Sequence, residues 1–323
     1  SQWTLGDRIE GSLLSNTGLE ERPGLSVTLF IIILILYLLT ILGNTTIILI
    51  SHLESKLHMP MYYFLSHLSF LYLCFTSSVI PQLLVNLRDS VKMITYGGCI
   101  VQLYFSLALG STECVLLMVM SYNRYVAVCH PLRYTVLMHP HLCMILASMA
   151  WLSGVATSLV QSSLTLQLPF CGHHQVDHFI CEVPVLIKLA CVDTTFNDVG
   201  LFVAIVLFLV VPVSFILVSY GYIVQAILMI KSACGRQKIA LFLTCSSHLI
   251  VVIIFYGTLS TCISSQMTVI HRTGKFISLF YTMLTSTLTP IIYSVRNMDV
   301  KEALKKLFSA VFYFCHLFSN ALQ

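Results

Sequence analysis

Met120-Ser-Tyr-Asn-Arg-Tyr-Val-Ala-Val-Cys-His-Pro-Leu-Arg-Tyr134 closes a long apolar run and places one arginine, Arg124, near its end. A guanidinium is costly inside a bilayer and does not deprotonate, so Arg124 has to face a protein interior or an aqueous edge. Pro131 ends the helix that carries it, because a proline pushes the residue before it out of the helical region. Upstream, the apolar run reaches back to about Cys99, which makes it long enough to cross a membrane.

The rest of the chain has the same character. Of its 323 residues, 57% are hydrophobic and 9% charged, where a soluble domain carries about 25% charged residues. The chain is therefore read as an all-α integral membrane protein. Hydropathy gives seven runs of spanning length, at 26–50, 60–85, 98–129, 141–161, 197–229, 237–263 and 272–294, each about 20 residues or more. The expected organisation is an N-terminal segment over 1–25, a seven-helix bundle over 26–294 and a tail over 295–323. The first apolar run is too long and starts too late for a cleavable signal, so it is expected to serve as anchor and targeting signal together. The sequence opens on Ser1, not Met, which leaves the true start open. The net charge of +4 is small and dispersed; with no basic cluster among stacking aromatics, no nucleic-acid partner is expected.

Orientation follows from the loops. With the N-terminus outside, the cytoplasmic side holds ten of the seventeen Lys/Arg and three of the thirteen acids. The outside holds the other seven Lys/Arg and nine acids. That asymmetry favours an outside N-terminus under the positive-inside rule.

Further stretches frame the first. Leu57-His-Met-Pro-Met-Tyr-Tyr-Phe-Leu-Ser-His-Leu-Ser-Phe70 opens the second run, with Pro60 at a helix start where its missing N–H costs nothing. Thr244-Cys-Ser-Ser-His-Leu249 and Phe255-Tyr-Gly-Thr258 lie in the sixth, and Thr289-Pro-Ile-Ile-Tyr-Ser-Val-Arg-Asn297 closes the seventh. Together with Cys171-Gly-His-His-Gln-Val-Asp-His-Phe-Ile-Cys-Glu182 in the long loop, they resemble the olfactory-receptor family of rhodopsin-like G-protein-coupled receptors. The resemblance covers nearly the whole chain, from about Gly18 to Phe308.

The resemblance implies a small, mostly apolar volatile bound among helices three, five, six and seven. Its wall would be Leu103, Ser106, Leu107, Gly110, Ser111, Ala204, Phe208, Tyr256, Leu259, Ser260, Ile263 and Thr282. Apolar walls with a few hydroxyls suit a neutral ligand with one hydrogen-bonding group. Asn123, Arg124, Tyr125, Tyr220, Lys238, Pro290 and Tyr293 would form the switch toward a stimulatory, olfactory-type heterotrimeric G protein, with cyclic AMP as output at the plasma membrane. Tyr220 reads equally as an interfacial-belt tyrosine, and Tyr256 equally as core packing.

Cys99 and the loop residues Cys171, Cys181 and Cys191 face an oxidising compartment. Four cysteines permit three pairings, which spacing does not rank; the resemblance implies Cys99–Cys181 and Cys171–Cys191. His173, His174 and His178 suggest a metal at first sight, but three exposed loop histidines beside oxidised cysteines are read as loop residues, and no metal is expected. Pro212 should kink or bulge the fifth helix. After the seventh, Val300, Ala303, Leu304, Leu307 and Phe308 make an apolar stripe, read as a short amphipathic helix on the inner membrane surface.

Catalysis finds no candidate. No zinc-protease pair, phosphate loop or nucleophile elbow is present, and Glu113 is the one acid in the middle of a span, Asp198 being the second residue of the fifth run. No enzyme and no cofactor are expected.

Four positions depart from the family's pattern. Tyr72 stands where an Asp would help bind an internal sodium ion, of which Glu113 resembles a second ligand. Asn123 stands for an Asp, and Thr289 for an Asn. A neutral Asn123 cannot ion-pair with Arg124, which points to raised basal activity. Loss of the polar groups of helices two and seven points instead to blocked activation. The fourth departure is the N-terminal segment, which lacks a glycosylation sequon: Asn44-Thr45-Thr46 lies within the first span. Two other readings stay open. One is a non-signalling or poorly expressed relic caused by Tyr72, Asn123 and Thr289, and the other is a different rhodopsin-like receptor.

Overall fold

The computed structural model describes residues 8–11, 23–53, 59–88, 93–169, 175–176, 181, 183–187, 190–229, 235–267 and 283–293. Among them, seven helical spans follow one another. They are α1 Pro23–Leu53, α2 Pro60–Arg88, α3 Tyr96–Cys129, α4 Pro140–Leu166, α5 Thr195–Met229, α6 Gly235–Met267 and α7 over 283–293. The first six hydropathic runs fall on α1 to α6, and the described part of the seventh on α7. α1 to α5 are long and apolar enough to cross a membrane, and α6 carries the apolar segment Cys245–Thr261. The amphipathic helix expected after α7 lies outside the described residues.

Prolines set the ends. Pro60 opens α2 and Pro140 opens α4 behind an extended His139, where a missing N–H breaks no bond. α3 stops at Cys129; His130 leaves the helical region at φ −132°, ψ 54°, and Pro131–Arg133 makes a tight turn into the short helix Tyr134–Leu137. Pro212 acts differently. It has no N–H to offer the carbonyl one turn back, and the preceding turn, Val206–Val210, is a π-helix. The expected irregularity in α5 is thus a bulge of the kind that a skipped hydrogen bond produces.

α3 is the axis of the bundle, touching α2, α4, α5 and α6. Its buried face includes Leu109, Leu116, Leu117, Met120 and Val126, packed with Phe64, Leu68 and Tyr72 of α2 and Phe255 of α6. Van der Waals packing alone holds helices weakly in lipid, so polar groups cross between them. Thr40 and Thr287 share a 2.7 Å hydrogen bond, and Asn44 Nδ2 donates to the Ser286 carbonyl at 3.1 Å, joining α1 to α7. Asn44 is therefore a packing amide, and its sequon lies inside the bundle. Ser158 Oγ donates to the Tyr104 carbonyl (2.6 Å), joining α4 to α3, and Gln161 Nε2 donates to the Gly200 carbonyl (2.7 Å), joining α4 to α5. α5 shows the opposite character on its outer side, where Phe202, Leu207, Leu217 and Leu228 are exposed, as a lipid-facing surface requires.

The Cys99 end of the bundle is capped. Cys99 is disulfide-bonded to Cys181, with Cα atoms 5.5 Å apart. Gln102 Oε1 accepts the Cys181 N–H at 3.1 Å. The short helix Val183–Ile187 then lays Val183, Leu186 and Ile187 against Cys99 and Leu103. Cys191 is also disulfide-bonded; Cys171, His173, His174 and His178 lie outside the described residues. Hydropathy gave no hint of a small sheet at this end. β1 Arg8–Gly11 lies between β2 Met93–Thr95 and β3 Gln175–Val176, antiparallel to the first and parallel to the second.

Candidate functional site

Ser106, Gly110, Glu113 and Leu117 recur at three- and four-residue steps, so they share one face of α3. Glu113 and Leu117 are buried, which turns that face into the bundle. Toward the Cys99 end the face opens. A Cβ built on Gly110 would meet nothing within 4 Å. One turn above, the Ser106 hydroxyl is buried without a hydrogen-bond partner among the described residues. One turn below, Tyr256 of α6 donates its hydroxyl to the Cys114 carbonyl at 3.1 Å. That bond pins α6 to α3 one turn below Gly110.

The other expected wall residues divide. Leu107, Ser111, Ala204, Phe208, Leu259 and Ile263 are half-buried, with Phe208 on the π-helical turn of α5. Leu103 is fully packed in the cap, under Cys181 and Val183. Ser260 is exposed, and its hydroxyl turns back to the Tyr256 carbonyl at 2.7 Å. Thr282 lies outside the described residues.

Toward the other end lie the residues expected to form the switch, Asn123, Arg124 and Tyr125 on α3 and the others on α5, α6 and α7. The charge of Arg124 reaches Tyr220 and His248, and also Cys245 and Tyr293. Its Nε is buried without a partner, and the Tyr293 hydroxyl and His248 Nε2 share that state among the described residues. Tyr220 is no interfacial-belt residue. Its ring stacks on His248, with the hydroxyl 2.7 Å from His248 Nδ1 and 3.1 Å from the Cys245 carbonyl. Pro290 is buried, lying 3.2 Å from where a Gly43 side chain would begin. Tyr125 packs edge-on against Tyr222 and reaches His130 at 3.4 Å. Lys238 sits on the first turn of α6, and its side chain lies outside the described set.

Three of the departures, Asn123, Tyr72 and Thr289, have partners that sequence spacing did not reveal. Asn123 is 1% exposed; its Oδ1 accepts the Tyr134 hydroxyl at 2.9 Å, and its Nδ2 lies 3.6 Å from Met61 Sδ. Burial raises the pKa of the Tyr134 hydroxyl, against the opposing pull of Arg124, so Tyr134 stays a donor. Tyr72 donates to Glu113 Oε1 at 2.7 Å, and Thr289 Oγ1 lies 3.4 Å from the Tyr72 hydroxyl. The expectation that Tyr72 and Thr289 remove the polar link between helices two, three and seven is corrected here. The α2–α3 link is remade by a short bond, and the contact to α7 is kept as a long, weak one. Tyr72 was invisible as a partner of Glu113 because the two lie 41 positions apart on different helices.

The family model described as olfactory receptor matches residues 33–311. The chain belongs to the olfactory receptor family. It is 70% identical to human Olfactory receptor 2G2 over 291 residues, covering 90% of this chain and 91% of that one. It is 59% identical to human Olfactory receptor 2G3, covering 90% and 94%. With mouse Olfactory receptor 2B6 the identity is 52%, covering 91% and 94%. This olfactory receptor is thus a multi-pass membrane protein of the G-protein-coupled class, with the function of an odorant receptor, and not an enzyme.

Proposed function

We propose that the space beside Gly110 takes a small, mostly apolar volatile, and that its occupation activates a stimulatory, olfactory-type G protein and raises cyclic AMP. The receptor would act at the plasma membrane with its N-terminus outside. The observation that carries the reading is the combination on one buried face of α3: open space at Gly110, an unpartnered hydroxyl one turn above, and the Tyr256–Cys114 tie one turn below. An unpaired buried hydroxyl is unfavourable, and a ligand with one hydrogen-bonding group relieves it. The remaining wall, apart from a few hydroxyls, is apolar, which suits a neutral molecule.

Coupling belongs at the Arg124 end. Leu132 is 97% exposed and Val136 73% exposed, on the turn and short helix that follow α3. Two apolar side chains projecting from a basic loop suit a protein partner. Ligand binding would favour the state in which α6 swings away from α3, breaking the Tyr220–His248 contact and freeing Arg124.

The test is a cyclic-AMP assay across an odorant panel, in cells with verified surface receptor. A ligand-dependent rise is expected. Gly110→Leu fills the space and should abolish it at unchanged surface level. Ser106→Ala should weaken the potency of hydroxyl- or carbonyl-bearing ligands by up to about tenfold, the worth of one net hydrogen bond. Silence across the panel at full surface expression would support a non-signalling product instead.

A further inference from the structure

The family's pattern implies an internal sodium ion between the acids of helices two and three, and the residues present do not fit one. A hard cation is held by several oxygen donors, with carboxylates supplying the charge. Here the position on α2 is Tyr72, which is 1% exposed and among the largest fully buried side chains. Its ring carbons offer no lone pair to a cation, and they fill space beside Glu113. Its hydroxyl proton points at Glu113 Oε1 over 2.7 Å, where an ion would need a free oxygen. Thr289 gives no more help. It offers one neutral oxygen and no charge to balance a cation's; its proton goes to the Thr285 carbonyl at 2.7 Å, with the Tyr72 oxygen at 3.4 Å the weaker neighbour. Among the described residues, no three His, Cys, Asp or Glu side chains gather anywhere to hold a metal.

We infer that this receptor has replaced an internal cation with a side-chain hydrogen bond: Tyr72 is a positioning residue that fixes Glu113 and ties α2 to α3 without sodium. The tie is intramolecular, so its occupancy does not depend on the concentration of a free ion. The resting bundle should then be indifferent to sodium, since a species that does not bind the folded state cannot stabilise it by mass action. This inference does not depend on which odorant or G protein the receptor uses.

The test uses the purified full-length receptor in detergent, unfolded by heat in sodium chloride and in choline chloride at equal ionic strength. The wild-type curves are expected to coincide; a sodium-specific rise in Tm overturns the inference. Tyr72→Phe keeps the ring and loses the hydroxyl, so its Tm should fall equally in both salts. An unchanged Tm would show that the bond ties nothing. Tyr72→Asp restores a carboxylate and room beside Glu113, and should acquire a sodium-specific rise, a gain that a merely space-filling Tyr72 does not predict. If Tyr72→Asp folds and stays indifferent to sodium, the exclusion lies elsewhere and the assignment to Tyr72 fails. If Tyr72→Asp does not fold, the wild-type and Tyr72→Phe measurements decide the matter.

Discussion

Asn123 carries an acceptor and a donor, and the fold occupies both. Tyr134 donates to its Oδ1, and its amide nitrogen rests on the Met61 sulfur. An amide cannot hold Arg124 by charge, but it anchors the end of α3 to the turn that follows. In the switch proposed above, the restraint on the resting state would be this neutral hydrogen bond, worth about 1 kcal/mol net. Tyr134→Phe removes it without changing shape, and the resting equilibrium should move roughly fivefold toward the active side. The measurement is ligand-free cyclic AMP at matched surface level. Basal signal equal to wild type would mean that Tyr134 restrains nothing. The sequence showed that Asn123 could not form an ion pair, but not what replaced it. Pro131 turns the chain between the two residues, so no helical period connects position 123 to position 134.

At the scale of elements, α3 and α4 pack closely at Gly154. A Cβ added at Gly154 would collide with the Thr112 hydroxyl and the Ala108 carbonyl of α3. The second of these is backbone and cannot step aside, so the helices would have to part. Overpacking of this kind costs about 1–3 kcal/mol, and Gly154→Ala should lower both Tm and surface expression. Gly110→Ala is the matched control on the facing helix, α3, since its Cβ enters open space; it should leave Tm unchanged. Equal losses from the two would show that glycine as such, and not the helix contact, sets the stability. The spans themselves were legible because each is a continuous apolar run bounded by prolines or charges. The π-helical turn was half legible: Pro212 announced an irregularity, but a sequence carries no sign of which way the hydrogen bonds will slip. Gly154 was not singled out at all, because a small residue in an apolar helix gives no clue to how near its neighbour lies.

For the whole molecule, the decisive long-range constraint lies at the Cys99 end. The Cys99–Cys181 disulfide closes a loop of 82 residues that contains most of α3 and all of α4. Spacing left three pairings open; the family resemblance picked this one, and the structure contains it. A loop of that length gives about 4.5 kcal/mol in the chain-entropy account. The same bond anchors the segment that lays Val183, Leu186 and Ile187 over Leu103, so its loss should loosen the cap as well as the chain. Cys181→Ser should lower the Tm of the purified receptor and reduce its surface expression. The sharper measurement is the double-mutant cycle. If the cysteines act only through their bond, Cys99→Ser, Cys181→Ser and the double variant should all have nearly the same Tm, because each breaks the same single link. A double variant whose loss is the sum of the two single losses would mean that the thiols pack independently and that the bond contributes little to holding the cap over the bundle.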